Sequence, residues 1–142
     1  MPKIIIHAPD GTFDNRSRKA VAGELTDFAL GCERLPLSPF VKSTVWTYFN
    51  EYARDTVYMG SAPADQNIIS IQIYTIEGGL NEETKKQLIE GATAILGRHS
   101  HAGDRIPVYV VVHEIPESNW GIFGKQADLA ALRASAPDAP AI

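Results

Sequence analysis

Two hydrophobic periods take turns along this chain. Lys3 to Ala8 is a short run rich in isoleucine, closed by the turn signal Pro9-Asp10-Gly11, and it predicts a β-strand. From Asp14, a residue type that caps helices, to about Cys32, apolar Ala20, Val21, Leu25, Phe28 and Ala29 recur at helical spacing. Polar Arg18, Glu24 and Asp27 fall elsewhere, so the segment predicts an amphipathic helix with one buried stripe. Leu35-Pro36-Leu37-Ser38-Pro39 breaks it, because proline cannot continue a helix and pushes its predecessor toward extended geometry. Lys42 to Glu51 predicts a second strand: Val45, Thr47 and Phe49 alternate with Thr44, Trp46, Tyr48 and Asn50. A bend over 53–60 holds a short β piece at Val57-Tyr58-Met59, and 61–66 reads as a polar linker.

The order then repeats. Asn67 to Ile76 predicts a third strand. A second helix runs from Asn81 to about Leu96 with Leu88, Ile89, Ala92 and Ile95 inward, and Pro107 to Ile115 predicts a fourth strand. A compact turn over 118–124, a short helix near Gln126 to Arg133 and a small, Pro-rich tail expected to be mobile complete the chain. Asp10 to Lys19 lies over Glu77 to Lys86 without a gap, an offset of 77 − 10 = 67. Glu51 and the bend ending at Gly60 lie over Glu114 and the turn ending at Gly124, with one inserted residue. Two β-α-β units in tandem follow, each a parallel strand pair with a right-handed crossover helix. The expected fold is α+β: a four-stranded mixed sheet with two helices on one face. It forms one domain, with unit one over about 2–60, unit two over about 67–124, and a short helix and tail over 125–142. The other sheet face carries Lys3, Ile5, His7, Ser70, Gln72 and Tyr74, or their alternates. Left open, such a face predicts oligomerisation.

Composition narrows the partners. The 142-residue chain is long enough for a proper core. Its net charge is −4 with the two signs interspersed, which argues against a nucleic-acid groove and an anionic membrane surface. No apolar run reaches the ~20 residues of a membrane span, and the expected location is cytoplasmic. The single cysteine, Cys32, forms no internal disulfide and reads as a buried thiol.

Chemistry enters at Pro2. When Met1 is removed, the Pro2 ring nitrogen becomes a free secondary amine at the head of a strand, a positioned base whose pKa burial would lower toward neutrality.

Pro2, β-α-β units of this size, and Glu114-Ile115-Pro116-Glu117-Ser118-Asn119-Trp120-Gly121-Ile122-Phe123-Gly124 closing a unit together resemble the tautomerase superfamily in its fused two-unit form. Ala20-Val21-Ala22 with Thr26-Asp27, and Phe49-Asn50-Glu51, are similar to cis-3-chloroacrylic acid dehalogenase. The likeness spans roughly residues 2 to 124. It implies a homotrimer and a pocket in which Pro2 is the general base or acid of a keto–enol tautomerisation. Trp120 matches the aromatic that walls off the proline. The arginines that grip substrate carboxylates in 4-oxalocrotonate tautomerase fall on Thr12, on Gly79 or Leu80, and on Trp46 and Tyr109. The dehalogenase's helix histidine falls on Ala29, and its paired arginines fall within Ile76 to Leu80, which contains none. Hydrolytic dehalogenation lacks its guanidinium fork here.

Trp46, Tyr109 and Trp120 are the expected substrate-binding residues beside catalytic Pro2, the tyrosine as a donor to an enolate oxygen. Lys3, Arg54 and Arg105 are the cations nearest strand ends. His99 and His101 lack a third ligand, so no metal or other cofactor is expected. His7 and His113 read as packed strand residues. The expected partner is a small molecule with a carbonyl or enol; the alternative is a non-catalytic trimeric binding or interaction protein on the same scaffold.

Overall fold

The computed structural model describes residues 1–101 and 105–142. Strand β1 (Lys3–Pro9) leads into helix α1 (Asn15–Cys32), a short helix α2 (Pro39–Ser43) and strand β2 (Trp46–Tyr52). A one-turn 3₁₀ helix (Arg54–Thr56) and a small ribbon of β3 (Tyr58–Met59) and β4 (Ala62–Pro63) close the first unit. The second unit repeats the plan with β5 (Ile69–Ile76), α3 (Glu82–His99), β6 (Val108–Ile115), a 3₁₀ turn (Glu117–Asn119) and a ribbon of β7 (Gly121–Ile122) and β8 (Lys125–Gln126). Helix α4 (Leu129–Arg133) follows.

The sheet order is β2-β1-β5-β6. Each unit is a parallel pair, and the units meet through antiparallel β1 and β5. This is the expected mixed sheet. The alternation of β1 and β5 turns Ile4, Ile6, Ile71 and Ile73 toward the helices, where they are fully buried with Val21, Leu25, Leu88 and Ala92. Burying a side chain of this size stabilises by about 1.5–3 kcal/mol, so this layer holds the sheet against α1 and α3.

The repeat persists in detail. Asp14 caps α1 through the Ser17 N–H and Asn81 caps α3 through the Thr84 N–H, both as reciprocal capping boxes. Gly11 and Gly78 take φ of 79° and 81° at matching turns, a conformation that penalises any residue with a Cβ. Arg18 pairs with Glu51, and Lys85 with Glu114.

Four expectations are corrected. The strand expected from Lys42 begins at Trp46, because residues 39–43 form α2: Pro39 sits in the first turn, where its missing N–H is no loss, and Ser38 caps the helix by accepting from the Val41 N–H. Ile89 is 42% exposed; the stripe facing the core is Leu88, Ala92, Ile95 and Leu96. The segment 61–66 includes β4, paired with β3. The tail is tied to α2, with the Phe40 N–H donating to the Ala139 carbonyl at 3.0 Å and the Ile142 N–H to Ser43 Oγ at 3.1 Å.

No described helix is long and apolar enough to cross a membrane. Cys32 is buried. Burial, and secondarily the neighbouring Glu33 charge, push its thiol pKa up. His99 Nε2 lies 2.8 Å from Glu24 Oε1, tying α3 to α1. His113 stacks on Tyr74 with ring centres 4.5 Å apart.

Candidate active site

The head of β1 is enclosed. Met1 is 2% exposed and Pro2 is buried. The Met1 side chain joins a second apolar cluster with Leu30, Leu35, Val41, Ile76 and Leu132, against which Trp120 and Ile122 pack. The Met1 ammonium donates to Glu33 Oε2 at 2.9 Å, and Glu33 is fully buried. Burial is the largest influence on the amine and lowers its pKa below the ordinary 8.0; the Glu33 charge and hydrogen bond oppose that, and the Arg133 charge adds a smaller lowering.

Glu33 caps the C-terminal end of α1, where the helix dipole disfavours a carboxylate. Its Oε1 has no hydrogen-bond partner among the described residues. Gly79 lies so close that a Cβ there would fall 2.9 Å from this oxygen. Arg133 reaches back from α4 and donates to the backbone carbonyl of Glu33 at 3.1 Å.

Beside the amine opens a pocket of about 440 Å³, lined by Lys3, Trp46, Tyr48 and Tyr74 from the open sheet face and by Trp120 and Phe123 from the closing turn. The Trp46 and Phe123 rings meet edge to face at 6.2 Å. Among the described residues Lys3 is the only charged side chain lining this pocket, and its Nζ sits 5.9 Å from the centre of the Tyr48 ring. A small apolar slot with one cation and an adjacent amine suits a planar organic acid.

Of the sequence-derived site residues, Trp46 and Trp120 line this pocket with Met1, and Pro2 is buried next to Met1. Tyr109 does not join them within the chain. It faces Ser70, which faces His7, five residues or about 16 Å along the strand from Pro2. Tyr109 lines a second pocket of about 730 Å³ at the opposite end of the sheet, together with Arg105. Arg54 is held by Asn67 Oδ1 at 2.8 Å.

The family model described as tautomerase enzyme matches residues 70–128, the second of the two repeated units. This second unit matches the tautomerase family. Solved structures that share the fold of the whole chain include fused, two-unit proteins. A member of the cis-3-chloroacrylic acid dehalogenase family superposes with a TM-score of 0.76 at 23% identity, covering 89% of this chain and 83% of that one. A fused 4-OT described as a wild-type asymmetric trimer gives 0.75 at 18% identity, covering 92% and 98%. A macrophage migration inhibitory factor-like protein from Entamoeba histolytica gives 0.69 at 16% identity, covering 89% and 98%. No curated protein sequence matches the chain.

Sequence reasoning missed Glu33 and Arg133. Glu33-Arg34 reads locally as a solvated pair after a helix. One signal was present: an acid at a helix C-terminus has the wrong sign for the dipole, which marks it as held there by something else.

Proposed function

We propose that this chain is a keto–enol tautomerase acting on a small enol or 2-oxo acid, with the Pro2 nitrogen as general base and acid once Met1 is removed. The observation that supports this reading is Pro2 buried at the head of β1, one residue from the Met1 amine that pairs with buried Glu33, beside an aromatic pocket whose described lining includes one lysine. Burial favours the neutral amine that can accept a proton, and Glu33 favours the ammonium that can return it. The amine takes a proton from the enol hydroxyl or from the carbon α to the carbonyl and delivers it to the conjugated position. Lys3 attracts the substrate carboxylate, while Trp46 and Trp120 hold the planar body and exclude water. Loss of the Met1 side chain from its apolar cluster adds room next to the amine. The reading includes a cytoplasmic homotrimer assembled through the open sheet face, where Trp46, Tyr48 and Tyr109 are exposed.

The test begins with intact mass, to establish that Met1 is absent. Ultraviolet absorbance then follows conversion of phenylenolpyruvate to phenylpyruvate. Turnover that falls at least a hundredfold in Pro2→Ala, the order of loss for a general base, supports the proposal; unchanged turnover rejects it. Light scattering reads the assembly.

A second reading, a binding protein on the same scaffold, is favoured by one observation. The Met1 side chain is seated in the apolar cluster with its amine paired, as expected of a chain that keeps Met1. It predicts a mass that includes Met1 and no enol turnover.

A further inference from the structure

The larger pocket is the repeat counterpart of the one at Pro2. At the offset of 67, Ile69 stands where Pro2 stands and Ser70 where Lys3 stands. At 63, the offset between the later strands, Tyr109 replaces Trp46, Tyr52 takes the place of Ile115, and Val57 that of Trp120. The second cavity is therefore built by the same elements as the first, at the other end of the same open face. Its chemistry differs in two ways. The nitrogen of Ile69 is a peptide N–H that donates to the Pro107 carbonyl at 2.9 Å, so no terminal amine is present to move a proton. With a valine where the other pocket has a tryptophan, the space is also wider, about 730 against 440 Å³.

We propose that this second pocket binds a small organic monocarboxylate with an apolar body, without transforming it through an amine. Val57, Ile68, Ile106 and Val108 supply apolar wall. At the floor, His7 Nδ1 and Tyr52 OH lie 2.7 Å apart and offer a fixed polar edge. Among the described lining residues Arg105 is the one arginine or lysine, and none is an aspartate or glutamate. In a chain of net charge −4, a described lining that carries an arginine and no carboxylate favours an anion, and the apolar walls favour one that carries a hydrocarbon body. The guanidinium fork meets a carboxylate with two parallel hydrogen bonds. The volume lies within the ~300–1,000 Å³ of ordinary small-molecule sites.

The experiment titrates full-length, methyl-labelled protein with phenylacetate, which has no ketone to enolise, and reads the two pockets separately by NMR. Saturable shifts at the methyl groups of Ile68, Ile106 and Val108 are expected. Arg105→Gln weakens binding at those methyls by roughly tenfold or more, the scale of one charge-assisted contact, while the indole resonances of Trp46 and Trp120 respond as before. Val57→Trp, which rebuilds the narrower wall, abolishes the shifts. Uncharged 2-phenylethanol binds at least tenfold more weakly than phenylacetate. Absent or non-saturating methyl shifts, equal binding of the alcohol, or indifference to both substitutions overturns the proposal. The readout is independent of turnover at Pro2, so failure of the tautomerase reading and failure of this one are separate results.

Discussion

Replacing Glu33 by glutamine removes one buried charge while keeping the shape of the side chain, and its effect on stability should depend on pH in a way few substitutions show. In protein whose mass includes Met1, the amine and Glu33 Oε2 are 2.9 Å apart with exposures of 2% and 0%. Taking one partner from a buried pair commonly costs about 3–5 kcal/mol. The variant has an escape, because its amine can fold in the neutral form. From the ordinary value of 8.0, deprotonation costs about 1.4 kcal/mol for each pH unit below 8, so the loss at pH 6 is limited to roughly 2.7 kcal/mol. The sign follows from the amine's lowered pKa. The unfolded chain holds the proton more tightly, so stability rises as pH climbs toward 8. Glu33 opposes the lowering; without it, the folded pKa falls further and the rise begins at lower pH. The variant is therefore weaker than wild type below the wild-type folded pKa. At pH 9 the amine is neutral in both proteins, and wild type is left with a buried carboxylate beside no ammonium. The difference vanishes or reverses there. Urea unfolding followed by tryptophan fluorescence at pH 6, 7.5 and 9 measures this, and a destabilisation that is equal at pH 6 and 9 would refute the reasoning.

Gly79→Ala puts a Cβ 2.9 Å from Glu33 Oε1 and 3.0 Å from the Ile76 carbonyl; a loss of about 1–3 kcal/mol is expected in urea, and none would mean that the turn relaxes freely. Asp14→Ala and Asn81→Ala remove equivalent capping boxes and should each cost about 0.5–2 kcal/mol, equal to within experimental error if the repeat extends to energetics. Cys32 is buried with a raised thiol pKa, so iodoacetamide at pH 8 should label the folded chain far more slowly than the chain in urea; equal rates would contradict its placement.

What was legible in the sequence was what local chemistry determines. Asp14 and Asn81 announce their helices because a cap needs only its own three following residues. The offset of 67 places the same turn and the same helix start twice, and the two faces of β1 and β5 follow from strict alternation. Trp46 and Trp120 were recognisable as pocket residues through the family likeness, and they do converge. Rules about proline misread Pro39, since the residue that stops a helix also begins one when a serine precedes it. Ile89 was counted with the buried stripe because its neighbour Leu88 belongs there; one residue is a 100° turn on a helix. Glu33 was not legible as a buried acid. Its burial needs the chain start, the turn at Gly79 and Arg133 from α4, segments separated by 32 to 100 residues. Tyr109 was grouped with Pro2 by resemblance, whereas strand register sets it at the far end of the sheet.

The antiparallel meeting of β1 and β5 makes the two units alike in space while the chain leaves them unequal: a linker enters the second unit before Ile69, whereas the first unit has the buried Met1-Pro2 pair at the head of β1. For a lineage carrying both, the demands on the two cavities separate. On the proposed reading, substitutions at Ile69, Val57 or Tyr109 are not screened by any need to shelter a terminal amine, whereas those around Pro2 are. A chain of two such units would then let one cavity drift toward new ligands while the other is held to its own.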